Sequence, residues 1–212
     1  MTEETLRAEV ATTYAELVTR GLCVGSAGNV SVATDCGMLI TRSGASAALS
    51  SADVVACDLA GTPEGELAPS SEWEMHAALY RSRSDARAVV HTHSDACVAL
   101  SALGEPLPAF HYMVLGFGGA DVRCAPYETF GTQALATAAV SAIAGRTACL
   151  LGNHGMICHG PNLKSALETA SRLETLARQY IMALSVGTPR LLTLDQIRAA
   201  QERYRTYGQA RA

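Results

Sequence analysis

His91 and His93 flank a single threonine and follow Val89 and Val90 directly. On a strand, side chains two residues apart leave from the same face, so the two imidazoles would be presented together with Thr92 turned away. Such a pair can share a metal ion or can simply be two polar residues at a strand end, and a third ligand would decide between the two. The remaining histidines are His76, His111, His154 and His159. His154 is the best placed, because Asn153-His154-Gly155 forms a tight turn between apolar runs, where glycine permits close approach of backbone or ligand. His159 precedes Gly160 and Pro161 and reads as an exposed loop histidine. His76 shares a helix face with Glu72, a spacing that more often means helix packing than ligation. His111, next to Tyr112, is left undecided by spacing.

Three neutral imidazoles suit zinc and leave at least one coordination position open, the mark of a catalytic site. Chemistry there also needs an acid or base. Glu72 follows Pro69-Ser70-Ser71 at a helix start, just before the histidine strand, although a first-turn glutamate can also be there only for the helix dipole. A second theme is anion binding. Ser26-Ala27-Gly28-Asn29, Ser43-Gly44 and Ser70-Ser71 each combine hydroxyls and small residues with exposed amides. The last of them precedes a helix N-terminus, whose unpaired N–H groups and dipole favour phosphate. None carries a Walker or Rossmann glycine pattern, so nucleotide binding is not implied.

The elements that must position these groups follow from periodicity. Leu6, Val10, Tyr14 and Leu17 mark a first helix that ends at Gly21. The glycine-rich stretch 21–32 leads into an alternating run and then 37–44, which together read as strand, turn, strand, turn, and 53–59 reads as another strand. Ser71 and Glu74 have the spacing of a capping box, which predicts a helix over 72–83 with Glu72 in its first turn. Ser94 or Asp95 should cap a helix through Leu103, and a further helix should span 132–143. Residues 148–160 read as a hairpin, and a long helix with one apolar face starts after Asn162. Strands and helices intermix throughout, which gives an α/β class: a single domain over residues 1–212, with a mobile C-terminal tail from about 200.

The whole chain narrows the function. It has 212 residues, 49% hydrophobic and 17% charged, enough for one core and too apolar for a disordered chain. A net charge of −4 without a Lys/Arg cluster provides no electrostatic footprint for nucleic acid or an anionic membrane. Seven scattered cysteines without a C-x-x-C pair suit reduced thiols in the cytoplasm. No apolar run reaches membrane-spanning length, and the acidic, amphipathic N-terminus is no signal peptide.

Taken in order, SAGNVS, ITRSG, PSSEW, HTHS, HYM, CAPYETFGT and NHG resemble the class II aldolase/adducin family, over roughly residues 10 to 207. The resemblance implies a three-layer αβα domain around a central mixed, mainly antiparallel sheet. It implies zinc held by His91, His93 and His154, and Glu72 as acid/base. It implies a substrate phosphate held by Ser26, Gly28, Asn29, Ser43, Gly44, Ser70 and Ser71, with Arg42 standing where close relatives have another residue at the pocket rim. Tyr112 matches a residue that helps protonate the departing aldehyde oxygen, and Tyr207, with Tyr204 as the alternative, matches a tyrosine that closes over a neighbouring subunit's site. The expected protein is a homotetramer that cleaves a ketose 1-phosphate, L-fuculose 1-phosphate foremost. Alternatives on the same scaffold are a 5-deoxyribulose or methylthioribulose 1-phosphate aldolase, a sugar-phosphate 4-epimerase, a decarboxylase, and a non-catalytic adducin-like binding module.

Overall fold

The computed structural model describes residues 2–205. Helix α1 (Glu3–Thr19) opens the chain, its first turn capped by the Thr2 hydroxyl, which accepts from the Thr5 amide. Then come β1 (Asn29–Ala33), β2 (Met38–Thr41), β3 (Val54–Cys57), α2 (Trp73–Ser82), β4 (Ala88–Thr92) and α3 (Asp95–Ser101). The second half holds β5 (Leu107–Pro108), β6 (Asp121–Val122), β7 (Cys124–Ala125), α4 (Gln133–Ile143), β8 (Ala148–Leu151), β9 (Gly155–Gly160), α5 (Leu163–Val186) and α6 (Leu194–Arg205). Short 3-10 helices cover Ser51–Asp53 and Tyr112–Phe117.

Seven strands form one sheet in the order β3-β2-β1-β4-β9-β8-β7, antiparallel at every pair except β7–β8. Strands β5 and β6 pair separately. Alternation along the strands sends side chains to two cores. Val30 and Val90 join Tyr14, Leu100 and Leu173 on the face covered by α1, α3 and α5. Val89 and Ile157 pack with Met75, Leu79, Leu135 and Ala139 under α2 and α4. The result is the expected three-layer αβα domain with a mixed, mainly antiparallel sheet. His91, two residues after Val89, therefore points into the α2 layer. Among the described residues no helix is long and apolar enough to cross a membrane, and all seven cysteines are free thiols.

Local signals are overridden in several places. Glu72 is the N-cap of α2 and not a first-turn residue, and its side chain makes no capping bond. Ser71 does not cap; Glu74 instead pairs with Arg81 at 2.6 Å, and the Ser70 hydroxyl accepts from the Glu72 amide at 3.3 Å. His159 is a buried β9 residue, 2% exposed, with Nε2 directed at the Arg146 carbonyl, so the expectation of an exposed loop does not hold. Residues 200–205 of the expected tail lie in α6, an element that the sequence reading did not assign. It starts with a reciprocal cap in which Gln196 N donates to the Thr193 hydroxyl and Thr193 N to the Gln196 side chain.

Helix α3, which directly follows the histidine strand, is not capped by the Ser94 side chain. The amides of Ala96 and Cys97 donate instead to the Glu174 carboxylate on α5, each at 3.0 Å. Burial pushes the Glu174 carboxyl up, but these amides, the Ser94 hydroxyl and Arg178 outweigh it and hold the group below its ordinary value. Glu174→Gln replaces one acceptor by a donor facing an N–H, and should cost about 1–3 kcal/mol at pH 7 in denaturant melts. A carboxyl whose pKa is lowered by folding contributes its stability above the unfolded value, roughly 4.3, and loses it as pH falls through the folded value. The deficit of the variant should therefore vanish in acid; a gap unchanged down to strongly acidic pH would refute the assignment.

Candidate metal and substrate site

Three imidazoles and one carboxylate meet where β4, the β8–β9 turn and the head of α2 converge, their ligand atoms all within 4.8 Å of one another. His93 Nε2 lies 2.9 Å from His91 Nε2 and 3.0 Å from His154 Nε2. Glu72 faces them, Oε2 at 2.8 Å from His91 Nε2 and Oε1 at 3.2 Å from His154 Nε2. Two backbone features make this approach possible. Asn153 takes the left-handed conformation (φ 54°) in the turn that presents His154. Gly28 (φ 82°) lies so close over β4 that a Cβ there would stand 2.5 Å from Cys23 Sγ and 2.8 Å from the His91 carbonyl.

The electrostatics suit ligation. His91 Nδ1 lies 2.8 Å from the Met156 carbonyl, an acceptor only, so Nδ1 carries a proton there and Nε2 is the nitrogen that faces Glu72 and would serve a metal. Burial, reinforced by the facing His91 ring, pushes both His93 and His154 down to about 4, so both are neutral at pH 7. Burial pushes the Glu72 carboxyl up, but His91, His154 and the Asn29 amide outweigh it and hold it below the usual carboxylate range. Among the described residues, Glu72 Oε1 is buried without a hydrogen-bond partner. An unmatched carboxylate oxygen beside converging imidazole nitrogens is what a bound cation would resolve, and the residues fit a metal ion.

Glu72, His93 and His154 line a cleft of about 540 Å³ that is also lined by Ser26, Gly28, Asn29, Ser43, Gly44, Ser70 and Ser71. All three predicted anion-binding turns thus open onto the same cleft as the histidines. Arg42 lies on its wall, tied by Nε to Asp53 at 3.0 Å and by a terminal nitrogen to the Ser43 carbonyl at 3.2 Å. The Asn29 side chain is turned inward, to Glu72 and His76. Tyr112 is not brought into this cleft. It is 54% exposed and, with Met113, Arg172 and Tyr204, borders a separate hollow, its ring centroid 6.4 Å from that of Tyr204. Tyr207 lies outside the described residues. The sequence reading gave no role to Val24, Tyr127, Glu128, Phe130 or Asn153, which also line the cleft. Tyr127, Glu128 and Phe130 belong to the CAPYETFGT motif, and Asn153 to the NHG turn, so the signal was present.

Comparison with known proteins agrees with this geometry. Residues 8–181 match the family described as the class II aldolase and adducin N-terminal domain. A 5-methylthioribulose-1-phosphate/5-deoxyribulose-1-phosphate aldolase of Rhodospirillum rubrum is 45% identical over 91% of this chain and 88% of that protein. An L-fuculose phosphate aldolase of Escherichia coli O6:H1 is 41% identical over 98% of each chain. A solved L-fuculose 1-phosphate aldolase superimposes with a TM-score of 0.89 at 37% identity, covering 95% of this chain and 96% of that one. Fold, site and sequence lead to one assignment: the chain belongs to the class II aldolase and adducin family.

Proposed function

We propose that this chain, a metal-dependent class II aldolase and so a lyase, reversibly cleaves a ketose 1-phosphate, L-fuculose 1-phosphate foremost, to dihydroxyacetone phosphate and a short aldehyde. The observation that carries the reading is the shared cleft, which joins His93, His154 and Glu72, with His91 behind them, to three serine-bearing turns. His91, His93 and His154 would hold the ion, for which we favour zinc; when bound, it supplies a Lewis acid that stabilises the negative charge left as the carbon–carbon bond breaks.

The chain's own residues do the rest. In the synthetic direction Glu72 takes the proton from the reacting carbon of dihydroxyacetone phosphate, and in cleavage it returns one. The hydroxyls of Ser26, Ser43, Ser70 and Ser71, with the amides of the glycine turns, hold the phosphate, and Arg42, paired with Asp53, stands on the wall beside them. Holding the phosphate fixes the reacting carbon against Glu72, using binding energy remote from the bond that breaks. We place Tyr112 at the aldehyde oxygen: in cleavage it takes the proton from the hydroxyl that becomes the aldehyde, and in the synthetic direction it returns that proton to the same oxygen. Standing apart from the cleft of its own chain, it would serve a neighbouring subunit in a homotetramer with sites between subunits, as would Tyr207. The free thiols suit a reducing, cytoplasmic setting.

A second reading is favoured by the 45% identity to the Rhodospirillum rubrum enzyme and by apolar Val24, Tyr127 and Phe130 on the cleft wall: a 5-deoxyribulose or methylthioribulose 1-phosphate as substrate. Such a wall separates aldehydes by only about 1–3 kcal/mol per methylene, so activity on both classes is expected. A panel of these ketose 1-phosphates, ribulose 5-phosphate and unphosphorylated L-fuculose tests the proposal. Losing two or more hydrogen bonds to a charged group, at about 1.5–3 kcal/mol each, should lower kcat/KM for L-fuculose by roughly 100-fold or more. Comparable turnover of the sugar and its phosphate would refute the clamp.

A further inference from the structure

Glu72 ends a buried chain of hydrogen bonds that crosses from α2 to β1 and back. Asn29 Nδ2 donates to Glu72 Oε2 at 3.3 Å. Asn29 Oδ1 lies 2.5 Å from His76 Nε2, His76 Nδ1 lies 2.7 Å from Ser31 Oγ, and Ser31 Oγ lies 2.6 Å from the Tyr80 hydroxyl. Asn29, Ser31 and His76 are all buried, His76 completely, and burial pushes the His76 ring down to about 3, so it is neutral. Donor and acceptor capacities then leave one direction. With its N–H group on Glu72, the Asn29 amide presents a carbonyl to His76, which must carry its proton on Nε2. Nδ1 is then an acceptor, so Ser31 donates to it and accepts in turn from Tyr80. Every proton points toward Glu72.

We infer that His76, backed by Ser31 and Tyr80, is a positioning residue for the reaction: it locks the Asn29 amide so that an N–H, and not a carbonyl, faces the Glu72 carboxylate. A flipped amide would set oxygen against carboxylate oxygen and displace Glu72 from the reacting carbon. The chain orients and does not conduct, because an amide cannot readily pass a proton onward. Asn29 thereby serves the acid/base more than the phosphate. The inference rests on Glu72 as the proton-transferring group, which proton exchange in Glu72→Gln tests separately.

Two replacements separate positioning from packing. Glutamine can present its amide nitrogen near the place of Nε2 and keep the bond to Asn29, whereas asparagine reaches only the place of Nδ1 and loses it. In metal-loaded enzyme that cleaves a ketose 1-phosphate, His76→Asn should lower kcat by roughly 10- to 100-fold at nearly unchanged KM and metal content. His76→Gln should stay within a few-fold of wild type. Equal kcat in wild type and His76→Asn, or equal losses in both variants, would overturn the inference while leaving the aldolase reading intact. Ring-nitrogen NMR of the metal-free protein gives a reading independent of activity and of whether the variants fold. His76, assigned by the signal missing in His76→Gln, should be protonated on Nε2 and bare on Nδ1; the opposite tautomer would overturn the inference.

Discussion

Glu72→Gln should lower the turnover of carbon–carbon cleavage by about 10²–10⁴-fold while the protein keeps its metal. Glutamine matches the carboxylate in shape and still offers Asn29 an oxygen, so the buried pocket at the head of α2 is preserved. What it lacks is the ability to take a proton. At 1.36 kcal/mol per decade the loss amounts to about 3–5 kcal/mol of transition-state stabilisation, the scale of one well-placed base. The ion would remain because three histidines suffice for a catalytic site. The cleanest readout is exchange of solvent protons into dihydroxyacetone phosphate, which needs no aldehyde; exchange at the wild-type rate in Glu72→Gln would exclude Glu72 as the base.

Loss of a ligand should be more severe. His93→Ala should reduce metal affinity by more than 100-fold, since even residues that only orient ligands account for about 10–100-fold. Activity should fall with it. His93 is the preferred target because it stands just beyond β4 and is partly exposed, whereas His91 is fully buried, with Nδ1 held by the Met156 carbonyl. The same site should make the fold respond to metal. With no ion between them, three ring nitrogens at 2.9–3.0 Å spacings and an unmatched carboxylate oxygen are costly to bury. An ion at 1,000 times its dissociation constant should add about 4 kcal/mol to stability, so chelation should lower the melting temperature of wild type and leave His93→Ala nearly unmoved. Equal metal content in the two proteins would contradict the ligand assignment.

The convergence of His91, His93 and His154 was legible because its signals are local. The H-x-H spacing needs only the two-residue period of a strand, and Asn153-His154-Gly155 needs only a turn between two apolar runs. The helices from Thr132 and Asn162 began where their side chains accept from the Leu135 and Ser165 amides. At Ser71 and Glu74 the same kind of signal misled: Glu72 is the N-cap and turns its side chain to His91 and His154, and Glu74 pairs with Arg81. The Thr193–Gln196 cap was present in the sequence and passed over, the apolar stripe of its helix being only Leu194, Ile197, Ala200 and Tyr204 in an otherwise polar segment. Other features had no local signal at all. Asn29 and His76 stand 47 residues apart and meet only because β1 lies beside β4 and under α2. Glu174 caps α3 from 77 and 78 residues away. His159 looked like a loop residue from its Gly-Pro neighbours, yet pairs with Val89 in the sheet. The position of Tyr112, outside the cleft of its own chain, depends on packing that one chain's sequence does not encode locally.

The central claim is metal-dependent cleavage of a ketose 1-phosphate, and one measurement tests it directly. Protein stripped of metal and verified by elemental analysis is given L-fuculose 1-phosphate and 5-deoxyribulose 1-phosphate, and dihydroxyacetone phosphate is followed before and after adding one equivalent of zinc per chain. Product in step with zinc, and none without it, is the predicted result; full-rate cleavage by the metal-free protein, or no cleavage of either substrate by the zinc-loaded one, would contradict it.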